Sequence, residues 1–328
     1  MKFKLLAACL MLHLFVTAQN LNVTLRSHFR YPTYRLSNIC GYVDKTGNEY
    51  ALVGTSKGLS IVDITNPDHP AEIMFVPGPD NLWREIKVKD DYAYVGTEGG
   101  GGLQIVYLGT LPNKSGITYK NWTGMGLGTI HTLHIDGNFV YMYGTNIAQR
   151  AGVIADITDR YNPVYAGTYE NKQSLYVHDG FVRNDTLYAC HTFGGFCTLV
   201  DCKDKKNLKI FGSVETPGKF THNCWLSENS KTLFTTDEVA NSFLTSYNIS
   251  DPANITELDR IQSNPGSLSV VHNTHVLKAR EAEYAVTSWY RDGFTIVDVT
   301  RPSNLVQVGN YDTCPDEGKG FNGAWGVY

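Results

Sequence analysis

The sequence is poor in charge and carries no block of one sign. Asp, Glu, Lys and Arg make up 18% of its 328 residues, and the formal net charge is −4. Proteins that bind nucleic acid usually concentrate Lys and Arg on one face, and membrane-surface proteins carry a polybasic patch. Neither pattern is present, so we expect no nucleic-acid partner.

The short motifs that mark common active sites are also missing. The sequence contains no HExxH and no CxxC, so a zinc-protease helix and a cysteine-pair metal site are not indicated. One GxSxG string occurs, GTSKG from Gly54, but it joins two β-type runs rather than a strand and a helix, so it does not indicate a serine nucleophile. Any chemical site has to be assembled from residues that lie far apart in the chain.

Long apolar runs are absent outside the N-terminus. There, Lys2 and Lys4 begin a mostly apolar stretch that ends in the small-residue site before Gln19. This is the pattern of a cleavable signal peptide. We predict a signal peptide over residues 1–18, and therefore a chain that is secreted or held at the cell surface, with no transmembrane segment.

Six cysteines follow the predicted signal peptide, and an even set in an exported protein can form disulfides. Cys190 and Cys197 flank a predicted hairpin turn, so they are the expected pair. Buried free thiols are the alternative.

One phrase recurs along the chain. GLSIVDIT from Gly58 and GFTIVDVT from Gly293 are nearly the same, and four weaker copies lie between them. The copies begin at Gly58, Gly102, Gly152, Phe196, Phe243 and Gly293. Their spacing of roughly 44 to 50 residues is typical of propeller blades and too long for most helical repeats.

Each copy has the same neighbours. An apolar, aromatic run such as EYALVGT precedes it, and a turn rich in Asn, Asp and Pro, then another β-type run, follows it. Such runs between such turns indicate strands. We predict an all-β fold, a β-propeller of four-stranded blades, formed by residues 19–328 as one monomeric domain.

The phrase is predicted to be the third strand of a blade, and its Asp begins the turn to the fourth strand. Asp63, Asp156, Asp201 and Asp298 share this place. Asp side chains in such turns bond the backbone two residues on. We therefore interpret these carboxylates as turn residues rather than as catalytic groups.

The two ends of the chain predict how the ring closes. FNGAWGVY, Phe321 to Tyr328, has the pattern of a first strand of a seventh blade, and LNVTLRSHF, Leu21 to Phe29, has that of an isolated fourth strand. We expect six complete blades on a seven-bladed plan. The incomplete last blade belongs either to a fragment or to a natural variant.

The repeated G-L-x-I-V-D-[IV]-[TS] phrase resembles the LVIVD repeat. THNCWLSENSKTLFTTDE, HNTHVLKAREAEYAVTSWYRDGFTIVDVTRP and NLVQVGNYDTCPDEGKGFNGAWGVY are similar to the choice-of-anchor B family of exported bacterial proteins. The resemblance covers nearly all of the mature chain and implies a secreted or surface protein. It implies no enzymatic activity.

A column of polar residues marks the predicted first strands. His131, His178, His222 and His272 fall at equivalent places in four successive blades, and Arg84 falls at the corresponding place in the second blade, with Glu85 next to it. First strands line the central channel of a propeller. We therefore predict a ring of imidazoles near one mouth of the channel.

The loops between second and third strands should reach the same mouth. They contribute His191, Asp237, Glu238 and Tyr290. Binding residues commonly lie on loops that a rigid scaffold holds, so these residues and the polar column form the predicted ligand-binding face.

Three interpretations of this face remain open. The histidines bond neighbouring blades, or they hold a divalent metal, or one of them is a general base. The expected metal ligands are His131, His178, His222, His272 and Asp237. The favoured function is an exported binding module for a glycan or protein, with no established cofactor, and the alternative is a metal-dependent extracellular hydrolase or lyase.

Overall fold

The computed structural model describes residues 20–147, 151–314 and 320–328. The predicted signal peptide lies outside these residues. Six four-stranded antiparallel sheets are arranged in a ring, so the fold is a β-propeller, as predicted.

Each blade is a meander of four consecutive strands, because the β-type runs are joined by short turns. Blade 1 contains β1 (Leu36–Val43), β2 (Glu49–Thr55), β3 (Gly58–Asp63) and β4 (Ala71–Pro77). Blade 2 contains β5 (Arg84–Lys89), β6 (Tyr92–Thr97), β7 (Leu103–Tyr107) and β8 (Thr118–Trp122). Blade 3 contains β9 (Thr132–Asp136), β10 (Phe139–Tyr143), β11 (Gly152–Asp156) and β12 (Val164–Tyr169).

The remaining blades repeat the pattern. Blade 4 contains β13 (Asp179–Arg183), β14 (Thr186–His191), β15 (Phe196–Asp201) and β16 (Lys209–Glu215). Blade 5 contains β17 (Thr221–Leu226), β18 (Thr232–Asp237), β19 (Leu244–Asn248) and β20 (Thr256–Ile261). Blade 6 contains β21 (Thr274–Ala279), β22 (Ala282–Ser288), β23 (Phe294–Asp298) and β24 (Val306–Tyr311).

Within the described residues, helical structure is limited to short 3-10 turns at Lys114–Gly116, Gly124–Gly126 and Thr192–Gly194. In the part of the chain that the structure describes, no helix has the length and apolar character that crossing a membrane requires.

The repeated phrase forms the third strand of every blade, as predicted. The Asp at its end accepts a hydrogen bond from the backbone N–H two residues on. In blade 1 the Asp63 carboxylate bonds Thr65 at 2.9 Å, and in blade 6 the Asp298 carboxylate bonds Thr300 at 2.9 Å. Asp156 and Asp201 make the same bond. The interpretation of these residues as turn formers is confirmed.

The hydrophobic core lies between the blades rather than inside them. Between blades 1 and 2, for example, Leu59 and Ile61 of β3 pack in one cluster with Ile86 of β5 and Val106 of β7. Similar clusters join each following pair of blades up to blades 5 and 6. A flat sheet buries both its faces in this way only when its neighbours stack on it.

The C-terminal segment, residues 320–328, lies on the inner side between blades 6 and 1. Ala324 forms a bridge with Tyr290 beyond β22, and the Trp325 carbonyl accepts a hydrogen bond from the Ser288 hydroxyl at 2.9 Å. On the other side, a Cβ on Gly326 would lie 2.0 Å from the Asn38 side chain of β1. The segment thus takes the place of an inner strand, although it makes a single bridge and no ladder.

The N-terminal segment spans the outer side of the same gap. Leu21 forms a bridge with Asn310 of β24, and Arg26 forms an ion pair with Asp68 in the turn before β4. The predicted fourth strand over Leu21–Phe29 is therefore limited to one bridging residue. The two ends of the chain connect blade 6 to blade 1 without pairing in one sheet, which differs from the expected closure.

The predicted disulfide is not formed. Cys190 faces Cys197 across β14 and β15, but the six described cysteines are free thiols. The thiol of Cys224 also lies close to this pair, so three thiols lie together where one disulfide-bonded pair was predicted.

Candidate functional site

The predicted histidine column lies at one mouth of the central channel, which we call the histidine mouth. In blades 3, 4 and 6 the residue before the histidine is fully buried, at Ile130, Val177 and Val271. In these three blades the chain enters the inner strand with an apolar residue between the blades and a histidine toward the channel. A period-two alternation of this kind follows from strand geometry.

The four imidazoles form a continuous arc. The ring centroids of His131 and His178 are 4.2 Å apart, those of His178 and His222 are 4.3 Å apart, and those of His222 and His272 are 4.2 Å apart. Each contact joins two adjacent blades. The predicted ring of imidazoles is therefore present as an arc over four of the six blades.

The two ends of the arc are held by hydrogen bonds. The Nδ1 atom of His131 lies 2.8 Å from Glu98 of blade 2, and the His272 Nδ1–H donates to the Trp325 carbonyl. These two contacts are of the kind expected if the histidines bond neighbouring parts of the ring.

The two middle histidines differ. Among the described residues, the Nδ1 atoms of His178 and His222 have no hydrogen-bond partner, although both are buried. Buried polar atoms in native proteins nearly always have a partner. The middle of the arc thus has unused capacity to bind a ligand atom.

Glu238 approaches the other ring nitrogen of His222 and of His272. Its carboxylate oxygens lie 3.6 Å from His222 Nε2 and 3.7 Å from His272 Nε2. The Tyr290 hydroxyl donates to Glu238 Oε1 at 2.7 Å. His178, His222 and Glu238 each offer one ligand atom, and these atoms lie within 4.8 Å of one another.

Burial determines the ionisation of these groups. It lowers the pKa of His178 and of His222 well below the ordinary histidine value, and the neighbouring imidazoles add to the effect. Burial lowers the pKa of His272 to about 3. Burial also raises the pKa of Glu238, which the Tyr290 hydroxyl opposes. The imidazoles of His178, His222 and His272 are therefore neutral near pH 7, the form in which histidine binds metals.

Arg84 and Glu85 line the cavity at the histidine mouth, but their side chains bond residues outside the histidine arc. The Arg84 guanidinium donates to the backbone carbonyls of Thr55 and Pro79. Glu85 forms an ion pair with Lys87 and accepts a hydrogen bond from Asn38. The two side chains complete the wall of the cavity opposite the histidine arc.

Asp237 does not lie at the histidine mouth. Its carboxylate accepts hydrogen bonds from the Thr216 hydroxyl and from the backbone N–H groups of Gly218 and Phe220, and it is fully buried. It stabilises the turn between blades 4 and 5. The structure places Glu238, rather than Asp237, beside the histidines.

His191 is also separate from the arc. Its Nδ1 atom lies 3.1 Å from the Ser174 carbonyl, and its Nε2 atom contacts the hydroxyls of Tyr169 and Thr198. Both ring nitrogens are engaged between blades 3 and 4. His191 is thus a packing residue in this structure.

The cavity at the histidine mouth is small, about 40 Å³. A cavity needs about 10–15 Å³ to hold one water. It therefore has room for an ion with one or two waters, but not for a sugar ring.

Aromatic side chains surround the histidine mouth, and we call them the aromatic rim. On one side, the ring centroids of Trp83 and Trp325 are 6.5 Å apart, and those of Phe321 and Tyr290 are 5.3 Å apart. On the other side, Tyr176 contacts both His131 and Phe193. Trp83, Phe321 and Phe193 are 41%, 61% and 73% exposed. Tyr290 was among the predicted binding residues, whereas Phe193 and Phe321 were not predicted, because they lie in loops outside the repeated phrase.

The opposite mouth of the channel holds a second group of side chains, which was not predicted from the sequence as a site. Lys87, His134, Trp225, His275 and Tyr328 line a pocket of about 460 Å³. Lys87, His134, Trp225 and His275 each lie on an inner strand, three residues beyond Arg84, His131, His222 and His272 respectively. The His275 ring stacks on Trp225 at 4.3 Å.

The LVIVD repeat model matches residues 46–76, 83–107 and 284–313. The chain therefore carries LVIVD repeats, and the matched segments lie in blades 1, 2 and 6. No curated protein matches the chain.

Several solved structures share the fold at low sequence identity. A protein of unknown function from Desulfotomaculum acetoxidans is 11% identical with a TM-score of 0.62, over 89% of this chain and 88% of that one. A periplasmic gluconolactonase from Pseudomonas aeruginosa is 11% identical with a TM-score of 0.60, over 85% of this chain and 83% of that one.

The extracellular domain of a hybrid two-component system from Bacteroides thetaiotaomicron is 12% identical, with a TM-score of 0.59 over 92% of this chain and 37% of that one. At these identities the likeness shows the propeller fold alone.

Proposed function

We propose that the chain is an exported β-propeller that acts as a binding module, with its recognition site at the histidine mouth. A divalent transition-metal ion bound by His178, His222 and Glu238 forms the centre of this site. The observation that carries the proposal is the convergence of three ligand atoms within 4.8 Å at a cavity of the channel.

The chemistry of the three side chains supports this centre. Two neutral imidazoles and one carboxylate are a common ligand set for zinc and related ions, which keep an open position when only three protein ligands bind. Without an ion, two buried imidazole Nδ1 atoms lack partners among the described residues. The cavity volume suits an ion and its remaining water.

The aromatic rim supports a larger ligand above the ion. The exposed faces of Trp83, Phe321 and Phe193 offer stacking area on both sides of the mouth. Recognition surfaces are enriched in such aromatic side chains. In this proposal an extracellular glycan or protein contacts the rim and directs an oxygen ligand to the metal.

Export rests on the pattern of residues 1–18 and on the resemblance to the choice-of-anchor B family. The segment has the basic start, the apolar run and the small-residue site of a signal peptide. Family members are secreted or surface proteins, and the same location is proposed here, with the chain acting as a monomer.

Elemental analysis tests the metal centre. We expect about one zinc or related ion per chain in the purified protein, and its loss in the double variant His178→Ala, His222→Ala. The control variant is His134→Ala at the opposite mouth, which should retain the ion. A metal-free wild-type protein that also fails to bind added zinc would overturn the metal centre.

A metal-dependent hydrolase or lyase at the same site is the second candidate. The observation in its favour is Glu238, a carboxyl group with a raised pKa beside the arc, which is typical of acid–base groups. One structural neighbour is described as a gluconolactonase. Turnover of lactone or glycan substrates that is lost in Glu238→Gln would establish this candidate over the binding module.

A further inference from the structure

Three cysteines converge between blades 4 and 5. Cys190 lies on β14, Cys197 lies directly opposite on β15, and Cys224 lies on the inner strand β17 of the next blade. Their Sγ atoms all lie within 4.8 Å of one another. They come from three strands of two blades, so the fold rather than a local motif brings them together.

The surroundings of the cluster are apolar and closed to solvent. Cys190 and Cys197 are 0% exposed and Cys224 is 1% exposed. Phe181 and Leu199 belong to the same core cluster. The Cys224 thiol donates to the Tyr188 carbonyl at 3.3 Å. Free cysteines are often buried in protein cores, and what distinguishes these three is that their sulfur atoms converge.

We propose that Cys190, Cys197 and Cys224 form a buried binding site for a monovalent copper ion. Soft thiolate ligands select Cu(I) and zinc among common metals. Zinc in a closed structural site takes four ligands, whereas Cu(I) is satisfied by two or three sulfurs. Among the residues that the structure describes, this cluster has no fourth His, Cys, Asp or Glu ligand.

Binding requires no electron transfer. As Cu(I) enters, two S–H bonds break, two protons leave to solvent, and copper–sulfur bonds form to the two thiolates and to the remaining thiol. Copper stays in the monovalent state throughout. Because the cluster is closed, the ion has to enter while blades 4 and 5 assemble or during transient opening between them.

Copper content and copper–sulfur absorption test the proposal on the full chain. The protein is purified without oxygen from copper-supplemented cells, and a second sample receives Cu(I) from a weak chelator. Both are prepared in the His178→Ala, His222→Ala background, so that copper at the histidine mouth is not counted. We expect about one copper per chain and an ultraviolet thiolate-to-copper band.

Cysteine variants locate the ion. Cys197→Ser and Cys224→Ala should each lose the band and most of the copper, whereas Cys202→Ser should retain both. Cys202 is an equally buried thiol of blade 4 and lies in the cluster shared with blade 3. Circular dichroism of each variant verifies that the propeller has folded.

Three results would overturn the proposal. One is the absence of a copper–sulfur band in both preparations of the folded protein. Another is a band that persists unchanged in Cys197→Ser. A third is thiol counting under denaturing conditions that shows a disulfide between two of the three cysteines in the anaerobically purified chain.

Discussion

The Tyr290 hydroxyl donates to Glu238 Oε1 at 2.7 Å, and this bond orients a carboxylate toward the imidazoles of His222 and His272. Glu238 follows β18 of blade 5, and Tyr290 follows β22 of blade 6. The histidine mouth is thus built across blade boundaries. Its geometry depends on the packing of the ring as much as on the individual loops.

Tyr290→Phe should weaken metal binding without unfolding the protein. Hydrogen bonds that orient a metal-binding carboxylate typically contribute about 10–100-fold to metal affinity. We expect a loss in this range, measured by competition with a zinc-sensitive chelator.

The control for this measurement is Tyr311→Phe, at the end of β24, where the ring stacks on Phe294. It removes the same atom away from the histidine mouth and should leave the affinity unchanged. Equal affinities for the two variants and the wild type would show that Tyr290 does not position Glu238 for metal binding.

We expect His275 to lower the free energy of unfolding when the pH falls from neutral to mildly acidic values. Burial lowers its pKa to about 3, and the nearby Lys87 ammonium adds to the effect. His134, whose pKa is also lowered, faces the same pocket. Between pH 6.5 and 3 the unfolded chain binds a proton that the folded chain does not, so the free energy of unfolding falls as the pH falls.

From pH 7 to pH 5, the free energy of unfolding falls by up to about 2 kcal/mol because of His275. Solvent at the open side of the pocket makes this decrease smaller. His275→Gln should therefore lose less stability than the wild type between pH 7 and pH 5 in urea denaturation. Leu277→Ala, in the same pocket, lowers stability without removing a titrating group and should keep the wild-type pH dependence. An unchanged slope in His275→Gln would contradict the prediction.

The fold was predictable because each blade repeats the same local pattern. The phrase from Gly58 and its copies combine a β-type run with an Asp that bonds the backbone two residues on. Period, turn chemistry and strand pattern agree, which is the condition under which sequence specifies structure strongly. The histidine column was predictable for the same reason, since it lies at one register position of the repeat.

The details of the mouth were less predictable, because they depend on which way adjacent residues point. Asp237 and Glu238 are neighbours where β18 ends, and one binds the turn at Phe220 while the other faces the histidines. A change of one residue in register exchanges the two faces of a strand. Composition and spacing did not determine which of the two carboxylates would enter the channel.

Gly326→Ala should loosen the closure between the C-terminal segment and blade 1. A Cβ at this position would lie 2.0 Å from the Asn38 amide oxygen, which accepts a bond from the Ile39 N–H. Asn38 is buried and donates to Glu85, so it has little freedom to move. We expect a loss of about 1–3 kcal/mol in the free energy of unfolding.

Urea denaturation measures this loss, and Gly128→Ala is the matched control. The nearest atom to a Cβ at Gly128 lies 3.5 Å away, an ordinary contact. The control should change stability by less than about 1 kcal/mol, in the stabilising direction if at all. If the two variants are equally stable, the C-terminal segment does not pack on blade 1 as described.

Val62→Asp should severely destabilise blade 1. Val62 is 3% exposed in the third strand and lies directly opposite Glu72 of β4. The substitution buries a carboxylate and places a like charge across the strand pair, and both effects oppose folding. We expect a loss of at least about 3 kcal/mol in the free energy of unfolding, which lowers the melting temperature by roughly 5 °C or more.

The control is Val164→Asp, at a 66% exposed position of β12. It makes the same chemical change at the surface and should lower the free energy of unfolding by less than about 1 kcal/mol. The melting temperatures of both variants are measured by thermal denaturation. A shift of one residue in register would turn Val62 to the other face of the strand. An unchanged melting temperature in Val62→Asp would therefore contradict the register of the repeated phrase.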